Sequence, residues 1–262
     1  MKENQKTVID VGDGAAIPTR KDRDLFTAWR IAFVGALFAL VGLVSFNPEV
    51  YWEGLKYLSD GVLITFQVTL ASILCALIIG LFVGLGRVSR IRVIALAAST
   101  YVEVIRGIPL LVQLFYIYYA LGQFVKIPPL PSAIIAMSIC YGAYMGEIFR
   151  AGIESIDKGQ TEASLSLGMN RSETMIYVVL PQALRTILPP VGNEFIALLK
   201  DSSLVSIIAV ADILRRAREF SSTSFYVFET YTLVAVVYLL ITLILSKIVG
   251  VMEERLGQHE RR

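Results

Sequence analysis

The stretch Gly159–Arg185, GQTEASLSLGMNRSETMIYVVLPQALR, is polar and lies between two strongly apolar segments of the chain. The residues before Gly168 favour a helix, and Gly168 stands where a left-handed C-terminal cap is needed. Asn170 and Glu173 have the spacing of a capping box for a second helix, which Pro181 should end or bend. The pattern predicts two short helices at a fixed angle. We expect this element to dock on a partner, because it buries little surface alone; a plain amphipathic loop on the membrane surface is the alternative.

The rest of the chain is unusually apolar. It has 262 residues, of which 55% are hydrophobic, and a mean hydropathy of +0.65, values that indicate membrane-spanning segments. The net charge of +2 is too small to indicate nucleic-acid binding. Cys75 and Cys140 lie inside apolar runs and suggest neither a disulfide nor a metal site. The single histidine, His259, lies in a polar tail, which argues against histidine-based catalysis or metal binding.

Six apolar segments predict transmembrane helices, so we expect an all-α polytopic membrane protein. Basic residues beside these segments place both termini in the cytoplasm by the positive-inside rule. The tails 1–28 and 253–262 would be cytoplasmic, and residues 47–60 would form an outside loop. The basic residues Arg215, Arg216 and Arg218 are an exception, since this topology places them outside. The predicted spans cover residues 29–46, 62–85, 96–122, 132–152, 187–210 and 227–251.

The polar stretch resembles the EAA loop of ABC importer permeases, whose pattern is EAA-x3-G-x9-I-x-LP. Serine replaces the second alanine of the pattern and valine replaces its isoleucine. Residues 103–122, 141–163 and 188–208 also resemble the polar amino acid subfamily of these permeases. The resemblance implies that the stretch is a cytoplasmic coupling helix, which docks on an ATPase subunit through Glu162, Ala163, Ser164, Gly168, Met169, Leu180 and Pro181.

The resemblance also implies a domain organisation. Members of the family commonly have five spans with the N-terminus outside, so residues 60–252 would form the five-helix type I ABC importer domain, with the EAA loop at 159–185. Residues 29–46 would then be an extra N-terminal helix. This segment lacks the small-residue cleavage site of a signal peptide, so we expect it to be retained.

Charged residues at membrane depth each cost about 3 kcal/mol or more and require an explanation. Glu103 and Arg106 are three residues apart and can pair on one helical face. Gly107 and Pro109 weaken the helix that follows. We predict a bend near an inner gate formed by Glu103, Arg106 and Pro109, with a purely structural ion pair as the alternative. On the next span, Gly142 and Gly146 predict a close approach of another helix.

The fourth and fifth spans carry the candidate substrate site. A zwitterionic amino acid needs an acceptor for its ammonium group and donors for its carboxylate, and Glu194 is our first choice for the ammonium group. A helix break at residues 200–203 would add backbone groups. In the alternative interpretation, Arg150 neutralises Glu147, and Lys200 and Asp201 lie at the outer membrane interface. The candidate residues are Tyr144, Glu147, Asn193, Glu194, Lys200, Asp201, Ser202 and Ser203.

The sequence contains no G-x-x-x-x-G-K-[ST] motif, so we expect a non-catalytic subunit with no cofactor of its own. ATP and magnesium would be bound by two separate ATPase subunits. Six spans are few for a pathway, so we expect a second copy or a similar permease. An extracytoplasmic amino-acid-binding protein would rest on the outer loops, with the basic residues at 215–218 as contacts. The chain would lie in the cell inner (plasma) membrane, surrounded by the lipid bilayer, with no nucleic-acid partner.

Two other classes of protein compete with this interpretation. A secondary amino acid transporter driven by an ion gradient would use Glu147, Glu194 or Asp201 as its ion site, but it leaves the polar helix pair unexplained. An intramembrane enzyme is disfavoured, because no nucleophile–base pair is evident in the sequence.

Overall fold

The computed structural model describes residues 27–257, which contain helices and no strand. Most of the predicted N-terminal tail and the last five residues, with His259, lie outside the described residues. Turns of other helical types extend some of the helices: a π-type turn (Tyr116–Ala120) and a 3₁₀ turn (Leu121–Gln123) follow α4, a π-type turn (Thr174–Val179) precedes α8, and a 3₁₀ turn (Ser202–Ile208) follows α8. The α-helices are α1 (Ala28–Phe46), α2 (Pro48–Arg87), α3 (Arg92–Gly107), α4 (Leu110–Phe115), α5 (Pro129–Glu154), α6 (Lys158–Ser166), α7 (Arg171–Glu173), α8 (Leu180–Asp201), α9 (Ile213–Ser224) and α10 (Val227–Gly257).

Within residues 27–257, α1, α2, α5 and α10 are long and apolar enough to cross a membrane. The helix pair Arg92–Gly107 and Leu110–Gln123 would make a fifth span if the two halves cross together. The predicted span 187–210 corresponds to α8 and its 3₁₀ extension, which do not meet the same length and hydropathy test. The mean hydropathy of α8 is too low, because this helix contains two prolines, Pro189 and Pro190, and several charged residues.

Residues 47–60 were expected to form an outside loop, and the structure corrects this expectation. Residues 48–60 belong to α2, a continuous helix of 40 residues that Asn47 precedes. At 1.5 Å per residue, α2 is about 60 Å long and exceeds the apolar thickness of a bilayer. Pro48 stands in the first turn, where its missing N–H is not needed. Tyr51 and Leu58 are buried against Ile213 of α9 and against α10. This apolar contact explains why the segment is helical in spite of its charges.

The helices α2 and α5 form the centre of the fold and approach each other closely. A Cβ atom added at Gly80 would lie 2.2 Å from Cβ of Met145, and one added at Gly146 would lie 2.5 Å from Cγ1 of Val83. A Cβ atom at Gly142 would lie 2.6 Å from the side chain of Ile79. The close approach that the two glycines of the fourth span predict is therefore confirmed.

The predicted bend at Gly107 and Pro109 is also confirmed, because the two halves of this helix pair meet at 98°. A break in a helix leaves backbone carbonyl groups without their usual partners. The side chain of Gln113 is buried and meets this need, since its Nε2 donates to the carbonyl oxygens of Ile105 at 2.9 Å and Ile108 at 2.8 Å. Gln113 thus holds α4 against the end of α3.

Candidate functional site

The polar stretch forms the predicted pair of helices, here called the coupling element (residues 158–179). Helix α6 ends before Gly168, whose φ of +89° is a left-handed conformation that favours glycine. The capping box is formed in both directions: the Asn170 side chain accepts from the Glu173 N–H at 2.9 Å, and the Glu173 carboxylate accepts from the Asn170 N–H at 2.7 Å. Sequence alone therefore located both ends of this turn.

A buried hydrogen bond links the two halves of the coupling element. The hydroxyl groups of Ser164 and Thr174 lie 3.0 Å apart, and both side chains are almost fully buried. The Ser164 oxygen is also 2.9 Å from the carbonyl oxygen of Thr161. Ser164 stands where the family pattern has alanine, so this departure from the pattern adds a hydrogen bond between the two helices.

The two sides of the coupling element differ in exposure. Met175 and Val179 pack against the core of the spans. Ile176, which an unbroken α-helix would place near Val179, is 56% exposed. Tyr177 is 71% exposed and Leu167 is 84% exposed. The π-type turn changes the angle between successive side chains and so moves Ile176 away from the core. An apolar surface therefore remains uncovered on the outer side of this element.

Pro181 does not end the second helix, which corrects one part of the prediction. The helical path continues through α8 to Asp201. The N–H of Leu180 bonds to the carbonyl of Met175, five residues back, so the hydrogen-bond register has already shifted before the proline. Of the other predicted coupling residues, Glu162, Ala163, Gly168 and Pro181 are exposed, Ser164 is buried, and Met169 and Leu180 are half-buried.

The second candidate site lies along α8 and its 3₁₀ extension. Asn193, Lys200 and Asp201 are exposed on the single chain, whereas Glu194 is half-buried. The α-helix changes to a 3₁₀ turn at Ser202, which agrees with the predicted break. Ser202 itself is buried and donates to the carbonyl of Leu199 at 2.7 Å, so its hydroxyl group is already used. Ser203 is half-buried.

A row of contacts connects Asp201 with residues of two other helices. Tyr141 Oη donates to the Asp201 carboxylate at 2.8 Å, and the rings of Tyr141 and Tyr144 lie 5.7 Å apart. The Arg106 guanidinium group lies over the Tyr144 ring, 5.0 Å from its centre. Glu194 is within electrostatic range of both Asp201 and Arg106. We call these five residues the polar row.

The polar row combines residues that the sequence assigned to separate sites. Arg106 was predicted to pair with Glu103 at a gate, but among the described residues no ion pair joins them. Arg106 instead contacts Tyr144, and Glu103 is exposed. The sequence interpretation missed Tyr141, although it lies one helical turn before Tyr144 and therefore on a nearby face.

Glu147 has a different environment from Tyr144. Its carboxylate pairs with Arg87 of α2 and with Arg150, and Arg150 also pairs with Glu154. The pairing with Arg150 is the one that the alternative interpretation named, while the partner on α2 could not be found from the sequence. The geometry thus favours a structural role for Glu147 at the end of α5.

Comparison with known proteins gives the family. Residues 76–258 match the family described as the binding-protein-dependent transport system inner membrane component. The chain belongs to this family. It is 42% identical over 204 residues to the L-cystine transport system permease protein TcyB of Bacillus subtilis (strain 168), covering 77% of this chain and 87% of that protein. It is 38% identical over 216 residues to the glutamine transport system permease protein GlnP of Escherichia coli (strain K12), covering 81% of this chain and 99% of that protein.

Solved structures of transport system components have the same fold. The crystal structure of an amino acid ABC transporter with histidines matches with a TM-score of 0.73 and 41% identity, over 82% of this chain and 98% of that chain. An inward-facing structure of the MetNI methionine ABC transporter matches with a TM-score of 0.63 at 20% identity, a likeness of fold alone. The match with GlnP leaves about a fifth of this chain uncovered.

Proposed function

We infer that this chain is the membrane-spanning permease subunit of an ATP-driven importer for polar amino acids. The observation that carries this inference is the coupling element, a helix–turn–helix with an exposed apolar side, within a region that matches the inner membrane component family. The relatives are permeases for amino acids, and a similar chain belongs to an amino acid ABC transporter. An ion-gradient-driven transporter is not favoured, because it gives this element no role.

The coupling element is the proposed contact with the ATPase. Leu167, Ile176 and Tyr177 are exposed apolar side chains on an otherwise polar segment, and burial of apolar surface against a partner is favourable. Two ATPase subunits would bind ATP and magnesium, and their closure would move the coupling elements of a permease pair together. The spans would transmit this motion to a gate near Glu103, Arg106 and Pro109, giving alternating access.

The polar row is the proposed substrate site. Arg106 supplies a cation for the carboxylate of an amino acid, and Glu194 and Asp201 supply anions for its ammonium group. Tyr141 and Tyr144 place aromatic rings between these charges, which suits recognition of a cation and an apolar stem together. Asn193, Lys200 and Ser203 extend the same polar face. Glu147 is the weakest member of the predicted set, because its carboxylate is held by two arginines.

The proposed topology has six transmembrane helices, with both termini on the cytoplasmic side of the inner membrane. Helix α8 would be the fifth of these spans along the chain, covered by a second permease subunit on its polar face. The helix α9, with Arg215, Arg216 and Arg218, would face an extracytoplasmic binding protein. Residues 60–252 would form the importer domain, and α1 would be an addition to it.

Reconstitution into liposomes tests the proposal. The purified permease is assembled with and without its ATPase, and uptake of labelled amino acid is measured with ATP inside the vesicles. We expect uptake only when the ATPase and ATP are both present. Uptake that persists without the ATPase and follows a proton or sodium gradient would overturn the proposal.

A variant tests the substrate site separately. Glu194→Gln should weaken amino acid affinity about tenfold or more, because a charge-assisted hydrogen bond to the ammonium group is lost. Glu154→Gln is the matched control, since Glu154 also lies near an arginine but outside the polar row. Equal affinities of the Glu194→Gln variant and the parent chain would remove Glu194 from the site.

A further inference from the structure

A groove lies between the end of α2 and the coupling element. It consists of two clefts, of about 250 Å³ and about 640 Å³. Both clefts are lined by Val88, Thr161, Met175 and Val179, so they adjoin each other. We call the two clefts together the basic groove, because of the side chains on its rim.

The rim of the basic groove carries more positive than negative charge. Arg90 and Arg171 line the smaller cleft, and Arg87 and Lys158 line the larger one, together with a single carboxylate, Glu154. Within residues 27–257, Arg90, Lys158 and Arg171 form no ion pair. Glu154 already pairs with Arg150. Arg90, Lys158 and Arg171 are exposed, so their positive charges are available to an anion from outside the chain.

Arg87 lines the larger cleft and adds a further positive charge to the rim. Its guanidinium group pairs with Glu147 through one terminal nitrogen. Its Nε is buried and has no hydrogen-bond partner among the described residues. Glu147 is shared between Arg87 and Arg150, so it does not neutralise both guanidinium groups, and the rim keeps a net positive charge.

The floor of the basic groove is apolar. Val88, Met175 and Val179 form it in both clefts, and Leu165 and Ile153 extend it. The groove starts at the last turn of α2, a candidate membrane span. A small soluble anion would leave Val88, Leu165 and Met175, which are not fully buried, in contact with water. An amphiphile with an anionic head would satisfy the rim and cover the floor at once.

We propose that the basic groove binds an anionic phospholipid of the cytoplasmic leaflet. Its phosphate group contacts Arg90 and Arg171, and the first part of an acyl chain lies over Val88 and Met175. The lipid then touches both the end of α2 and the coupling element. Bound lipid therefore holds this element against the spans, and the lipid composition of the membrane influences coupling.

Native mass spectrometry of the full-length chain tests the proposal. The chain is titrated with phosphatidylglycerol and, in parallel, with phosphatidylcholine. We compare the parent chain with the double variant Arg90→Gln and Arg171→Gln. A matched control carries Lys126→Gln and Arg218→Gln, which remove two exposed positive charges outside the groove.

We expect the parent chain and the control to prefer phosphatidylglycerol. The Arg90→Gln and Arg171→Gln variant should bind phosphatidylglycerol about tenfold to thirtyfold more weakly, since each basic residue near an anionic lipid contributes about 1 kcal/mol. An equal loss in the control, or equal binding of the two lipids by the parent chain, would overturn the proposal. Full competition by glycerol 3-phosphate would show a soluble anion site and overturn it as well. The measurement involves neither ATP nor transport, so its failure is separate from failure of the proposed function.

Discussion

At the scale of single residues, the hydroxyl group of Ser164 joins the two halves of the coupling element through its hydrogen bond with Thr174. Ser164→Ala leaves the buried Thr174 hydroxyl without its partner, so we expect a loss of about 1 kcal/mol in unfolding free energy. The double variant Ser164→Ala and Thr174→Val should recover most of the loss, because neither hydroxyl remains to be satisfied. Ser166→Ala is the control, since its hydroxyl is exposed. Thermal unfolding measures all three variants. If Ser164→Ala and Ser166→Ala have the same melting temperature, the buried hydrogen bond between Ser164 and Thr174 does not stabilise the fold.

Asp212, between the predicted fifth and sixth spans, gives the chain a pH-dependent stability. Its side chain is fully buried and caps α9 by accepting from the Leu214 and Arg215 N–H groups. Burial raises the pKa of Asp212 to about 6, although these hydrogen bonds and Arg218 act in the opposite direction. The folded state therefore holds the proton more tightly than the unfolded state does. The contribution of Asp212 to the free energy of unfolding is therefore complete below about pH 4 and is lost as the pH rises through about 6.

Asp212→Asn tests this dependence, because the amide keeps a capping oxygen and cannot ionise. We expect the parent chain to lose stability, relative to this variant, as the pH rises from about 4 to about 7. Thermal unfolding of the purified chain over this pH range measures the difference. A constant difference between parent and variant would mean that the Asp212 pKa is not raised.

At the scale of elements, the contact of α2 with α5 depends on glycines. Gly80→Ala places a Cβ atom 2.2 Å from Cβ of Met145, so the helices must separate, at a cost of about 1–3 kcal/mol or more. Gly35→Ala in α1 is the matched control, since the added Cβ meets nothing within 4 Å beyond its chain neighbours and the nearby backbone of its own helix. The control should be neutral or slightly stabilising, because alanine favours a helix over glycine. Comparable melting temperatures for the two variants would contradict close packing at Gly80.

Elements whose causes are local were predictable from the sequence. The turn at Gly168, the capping box at Asn170 and the break at Pro109 each follow from the conformational preference of one or two residues. The helical start of α2 was not predictable, because Tyr51 and Leu58 are buried only through contact with α9 and α10, far along the chain. Local charge indicated a loop there, and tertiary packing overrode that signal.

The candidate site was likewise predictable only where its causes are local. The polar face of α8 could be read from spacing along one helix, and so could the pairing of Glu147 with Arg150. The partners of these residues on other helices could not, since nothing in the local pattern connects Arg106 with Tyr144, or Arg87 with Glu147. Contacts between helices decide which charges are structural and which are left for a ligand.

At the scale of the whole molecule, a single chain leaves a polar face of α8 uncovered. Asn193, Lys200 and Asp201 are exposed, and exposure of such groups to lipid costs several kcal/mol. If α8 spans the membrane, this face must therefore meet a partner subunit or a water-filled path, whereas Phe82 on α2, 70% exposed, suits lipid.

A thiol reacts with polar reagents only where water reaches it. We therefore expect Asn193→Cys, made together with Cys75→Ser, to react at least about tenfold faster with a membrane-impermeant thiol reagent than Phe82→Cys in the same background, measured by mass spectrometry on the permease in its membrane. Equally slow reaction of both thiols would place the α8 face in lipid or in a dry interface, and the translocation path would then have to lie elsewhere.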